Sequence, residues 1–122
     1  MTELPLDADP LGEEDRKLVT LARSSRARIQ APHGAAVRDS TGRTYTAATV
    51  ELESFQVSAL QLAVAMAVSS GAPGLEAAAV VTPAPDDAVA ELDLAAVRDL
   101  GGPGVPVLVA DPAGTVCARV LT

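Results

Sequence analysis

From Glu13 onward apolar residues return at three- and four-residue steps, at Leu18, Val19, Leu21, Ala22 and Ile29; three acids open the segment and arginines close it. That period predicts an amphipathic helix whose end charges suit its dipole, and Pro32 ends it. The period then shortens. Strand-like runs at about 33–38 and 43–51 flank Asp39, Ser40, Thr41 and Gly42, which predicts a β-hairpin. The next stretch, VSALQLAVAMAVSSG at 57–71, is rich in helix formers, with Gly71 and Pro73 as its stop. It holds no charge, and Val57, Leu60, Leu62, Val64, Met66 and Val68 fall on all its sides, so this helix is expected to be covered nearly all round.

LEAAAVVT at 75–82 is a short continuous apolar run, as in a strand buried on both faces. The TPAPDD that follows reads as a loop, with Asp86 and Asp87 as solvated charges. AVAELDLAAVRDL predicts a third helix over about 88–100, stopped at Gly101 and Gly102; the GGPG there ends a helix rather than opening one and is no phosphate cradle. VPVLVAD and TVCARVL around Pro112, Ala113 and Gly114 predict a second hairpin. Helix, strand, strand, helix, strand, helix, strand, strand is the resulting order. It predicts an α/β fold, a three-layer α-β-α sandwich with a mixed five-stranded sheet. Residues 1–12 mix acids with Pro5 and Pro10 without periodicity and read as a flexible acidic tail, leaving a single domain over 13–122.

Composition narrows the function. Of 122 residues, 48% are hydrophobic but only 2% aromatic, so the core must be built from Ala, Val and Leu, which allow close approach of elements. A formal net charge of −7 repels a nucleic-acid backbone, and the cluster Arg23, Arg26 and Arg28 reads as the solvated end of the first helix. No apolar stretch reaches membrane-spanning length and the start lacks a leader pattern; one cysteine, Cys117, forms no internal disulfide and fits a reducing compartment. A cytoplasmic protein acting on neither nucleic acid nor membrane is expected.

One stretch resembles a known family. GAAVRDSTGRTYTAATVE at 34–51 looks like the first hairpin of cytidine deaminases, G-A-A-L, then D-G-R-I-Y-T-G, then N-V-E. AVAMAVSSG resembles the later turns of that family's second helix, and PVLVADPAGTV its fourth strand and final hairpin, so the likeness spans about residues 15–120. The resemblance implies the sandwich fold, a homodimer or homotetramer with the second helix near its middle, and a zinc ion held at two helix starts. Such an ion lowers the pKa of its water while a glutamate shuttles the proton to the base.

Carried over position by position, the chemistry is vacant. Where the family has Cys-Ala-Glu, this chain has Ser58, Ala59 and Leu60; where it has Pro-Cys-x-x-Cys-Arg, the chain reads DLAAVR, with Leu94 and Val97 at the cysteine positions and Arg98 after them. One histidine and one cysteine in the whole sequence do not make a three-ligand nitrogen and sulfur site, and His33 and Cys117 are expected to lie apart and away from the helix starts. No metal and no cofactor are expected. Ser58 reads as a helix cap rather than a nucleophile, because the only histidine is His33 and no G-x-S-x-G elbow is present. Of the family's Asn-x-Glu contact to ribose, Thr49 and Glu51 remain as candidate substrate-binding residues; Glu51 also reads as a charge that caps or approaches the next helix start. Two residues are missing between Phe55 and Ser58 relative to the family spacing, which reshapes the mouth of any pocket. The expectation is a catalytically inactive, homo-oligomeric binding module whose partners are itself and a nucleoside or a protein. A cytidine deaminase and a ligand-free scaffold are the competing readings.

Overall fold

The computed structural model describes residues 2–3, 11–85 and 89–122. Asp86, Asp87 and most of the expected tail lie outside the described residues. Thr2–Glu3 form a two-residue strand β1, and Gly12 is the N-cap of the first helix.

Helix α1 spans Glu13–Ile29, with Glu13, Glu14 and Asp15 in its first turn, Arg26 and Arg28 in its last, and Gln30 in the left-handed conformation at its end. Leu18, Val19, Ala22 and Ser25 are its buried stripe. β2 (Gly34–Asp39) and β3 (Thr44–Ala48) make the predicted hairpin, with Val37 opposite Tyr45. The strand expected over 43–51 is divided. At Thr49 the ladder stops: its hydroxyl accepts from the His33 amide (3.0 Å) while its own amide donates to the His33 carbonyl (3.1 Å). Beyond it, β4 (Val50–Glu51) leaves the sheet and pairs with β5 (Gln56–Val57) in a ribbon of its own. Val57, expected inside the second helix, is therefore a strand residue, and α2 runs Ala59–Ser69.

β6 (Leu75–Val81) leads through α3 (Glu91–Gly101) to β7 (Pro106–Ala110), and β6 and β7 pair in parallel as a helical crossover requires. β8 (Val116–Leu121) closes the second hairpin. The sheet order is β8-β7-β6-β2-β3, the predicted mixed five-stranded sheet, extended at the β8 edge by β1. Its faces carry separate cores. Leu18, Val19 and Ala22 of α1 pack on Ala36, Ala77, Ala79, Val81, Leu108 and Ala110; on the other side α2 and α3 bring Leu60, Ala63, Val64, Leu94 and Val97 against Val37, Val80 and Val107. Arg38 fastens the first layer across strands, donating to Glu76 of β6 (2.5 Å) and to Asp15 of α1 (3.1 Å).

Within one chain, α2 is covered unevenly. Ala59, Leu60, Ala63, Val64 and Ala67 are buried, but Met66 is 41% and Val68 56% exposed. The chain's own fold covers one face of this apolar helix and leaves the opposite face open.

Candidate functional site

Two helix starts face each other at one end of the sandwich. At the first, Ser58 has extended backbone angles and its Oγ accepts from the Gln61 amide (3.1 Å), a serine N-cap as the sequence implied. At the second, α3 begins after Ala90, which offers no side-chain cap, and places Glu91 and Asp93 in its first turn. Ser58 Oγ donates its proton across the gap to Asp93 Oδ1 at 2.7 Å. Asp93 is only 6% exposed.

Below this bridge lie Leu60 and Leu94, each 1% exposed, and Val97, fully buried, all in the core cluster shared by α2, α3 and the sheet. A zinc site needs thiolate, imidazole or carboxylate donors converging from both helix starts. Of the four positions that the resemblance matches to the site, Leu60, Leu94 and Val97 carry hydrocarbon, and Ser58 has its hydroxyl engaged as both donor and acceptor. Among the described residues, no group of three or more His, Cys, Asp or Glu side chains gathers where it could hold a metal ion. The residues present do not fit the ion that the resemblance implies.

The polar surroundings differ from the expectation in one respect. Asp93 is a polar member of this joint that the sequence does not single out; its signal is an acid in the first turn of a helix, where negative charge is favoured. His33, expected away from the helix starts, directly precedes β2 and is half-buried. Burial holds the imidazole below its ordinary value of 6.5, the Asp93 carboxylate opposes that, and Arg26 adds to it. Cys117, in contrast, is exposed on β8, its Sγ 3.4 Å from the Thr115 carbonyl.

Thr49 is half-buried with its hydroxyl bonded to the His33 backbone, so that oxygen serves the fold. Glu51 is exposed, opposite Gln56 in the β4–β5 ribbon, with Val50 opposite Val57, the residue before Ser58. The α2 start is capped by Ser58, not by Glu51. On the flank away from the sheet, Val57, Val64, Val68, Ala96 and Leu100 line an open apolar groove of about 470 Å³ between α2 and α3, with Gln61 and Asp99 as polar rim. No helix among the described residues is long and apolar enough to cross a membrane.

A protein-family model described as cytidine deaminase-like matches residues 11–114, which bears out the resemblance carried by the first hairpin. A search of curated protein sequences returns no match. Among solved structures, the fold resembles cytidine deaminase from Burkholderia pseudomallei with 24% identity and a TM-score of 0.74, over 88% of this chain and 91% of that one. It also resembles the cytidine deaminases of Mycobacterium leprae (22% identity, TM-score 0.67, 88% and 94% covered) and Mycobacterium tuberculosis (21%, 0.64, 86% and 89%). At such identities the likeness establishes a shared fold.

Proposed function

Because the chain belongs to the cytidine deaminase-like family, we propose that it is a catalytically inactive, zinc-free member that acts as a homo-oligomeric binding or interaction module. The observation that carries this reading is the joint of α2 and α3. Leu60, Leu94 and Val97 are sealed in the core where a proton-shuttling carboxylate and two metal ligands would have to stand. A buried carboxylate without its ion is costly, and leucine in its place removes that penalty. The direction of all three replacements, from charged or ligating to apolar, is that of a site closed by packing.

Any residual nucleoside recognition falls to Glu51, whose carboxylate is exposed and can accept from sugar hydroxyls, while the Thr49 hydroxyl is committed to His33. The open apolar groove beside α2 and the exposed Met66 and Val68 support an interaction role, with a second copy of the chain as occupant. The competing reading, hydrolytic deamination of cytidine, draws on the structural likeness to cytidine deaminases. Metal analysis of purified protein with an ammonia-release assay on cytidine decides between them. We expect substoichiometric zinc and no ammonia above the protein-free control; one zinc per chain with turnover overturns the proposal. A thermal-shift series with nucleosides then separates a binding module from a ligand-free scaffold, since a ligand that binds only the native state raises the melting temperature.

A further inference from the structure

We infer that the Ser58–Asp93 hydrogen bond is a metal-independent tie that fixes the first turn of α2 against the first turn of α3, so that a hydroxyl and a carboxylate hold the helix joint. The inference deepens the metal-free reading above and rests on it.

The atoms balance in one arrangement. A serine hydroxyl has a single proton and lone pairs to accept with. Its lone pair takes the Gln61 amide, so its proton is free for Asp93, and the 2.7 Å separation matches a hydroxyl-to-carboxylate bond. The tie is thus the cap of α2 used a second time. Asp93 has reason to need it: an acid 6% exposed in a folded chain must be hydrogen-bonded, and its backbone amide already goes to the Ala90 carbonyl. Ala90 gives α3 no side-chain cap of its own, so the side chain that Asp93 extends to α2 is what anchors that helix start. Beneath the tie, Leu60, Leu94 and Val97 form an apolar floor that supplies adhesion without direction. The polar bond supplies the direction, because a hydrogen bond is lost when its partners move by an ångström and apolar contact is not. A cap alone would leave Asp93 unexplained, and an ordinary surface acid would leave its burial unexplained.

Substitutions at Ser58 that keep the cap but change the donor separate a tie from a cap. Ser58→Asn retains a capping oxygen and brings an amide N–H for Asp93, whereas Ser58→Asp is an equally good cap with no donor and sets two carboxylates together. We expect Ser58→Asn to melt within about 2 °C of the wild type at neutral pH, and Ser58→Asp to melt at least about 5 °C lower. Adding Asp93→Asn to Ser58→Asp should restore most of that loss, because the introduced carboxamide donates back across the joint. Equal stability of the two Ser58 variants, or a loss that Asp93→Asn leaves in place, overturns the tie. If Ser58→Asp is unfolded at room temperature, recovery of a folded double variant still reports the coupling, and its failure to fold still counts against it. Melting with a chelator present distinguishes the two levels of the argument. An unchanged wild-type melting temperature is expected; a fall defeats the metal-free reading itself, whereas metal-independent stability with uncoupled Ser58 and Asp93 defeats the tie alone.

Discussion

Asp39 shows how much one side chain can organise. It is 1% exposed, yet its Oδ1 accepts from the amides of Thr41 (2.9 Å) and Arg43 (3.0 Å) and from the Thr41 hydroxyl (2.6 Å), while Oδ2 accepts from the Tyr45 hydroxyl (2.9 Å). The hydrogen bond from Thr41 is the main reason that the carboxyl is held at about 2 against an ordinary 3.8; burial opposes it, and Tyr45 and the backbone amides add to it. The hydrogen bond to Asp39, with burial, pushes the Tyr45 hydroxyl up. A depressed carboxyl pKa means that the unfolded chain binds the proton first, so the contribution of Asp39 is complete above about 4 and is lost as pH falls toward 2. His33 carries the same sign for a different cause: burial lowers its pKa in the folded chain, so the unfolded chain takes up the proton first and acid favours it from about 6.5 downward. Circular-dichroism melts between pH 7 and pH 2 should therefore show a first loss of stability on the His33 titration and a steeper one below about pH 4. Asp39→Asn should flatten the steeper segment while lowering the melting temperature throughout, because a carboxamide has one accepting oxygen for four donors.

Among the elements, the contact of α1 with β2 is the tightest constraint. A Cβ built on Gly34 would stand 2.1 Å from the Ala22 carbonyl oxygen and 2.7 Å from the Arg26 backbone nitrogen, so only glycine lets the helix lie this close to the strand. Gly34→Ala must push α1 outward, a change expected to cost about 1–3 kcal/mol or more in urea unfolding, which is large for a single methyl group. The reason for this glycine was not visible in the sequence, although the hairpin around it was, because turn chemistry at Asp39 to Gly42 and the alternation beside it are local signals. α1, β6 and the last two strands were legible for the same reason. What stayed hidden depended on contacts distant in the chain. Thr49 ends β3 through His33, 16 residues earlier, and so moves Val57 out of the second helix and into the β4–β5 ribbon. Asp93 meets Ser58 across 35 residues, and Arg38 meets Glu76 across 38. No periodicity reports such pairs. That Leu60, Leu94 and Val97 bring no ligand or proton-carrying group could be read from residue types alone; that a carboxylate from the next helix bonds to Ser58 could not.

For the whole molecule, the open question is what lies on the uncovered face of α2. The all-apolar pattern of this helix predicts coverage nearly all round, and the single chain covers one face. If a second copy supplies the other, association works against a formal net charge of −7 on each chain, and apolar burial must exceed that repulsion. The balance gives the assembly a signature. Salt screens the repulsion within a Debye length of about 8–10 Å near physiological strength but leaves the burial of Met66 and Val68 intact, so the oligomer should tighten as salt is raised. An assembly held by ion pairs would loosen instead. Light scattering coupled to size exclusion should give a mass at a multiple of 12.3 kDa, with the larger species favoured between low and moderate salt. Met66→Asp with Val68→Asp adds two charges per chain to the exposed face and touches none of the buried residues of α2, so that variant should run as a folded monomer with an unchanged far-ultraviolet spectrum. A wild type that is monomeric at all salt concentrations, or a double variant that still assembles, would show that this face is not where copies meet.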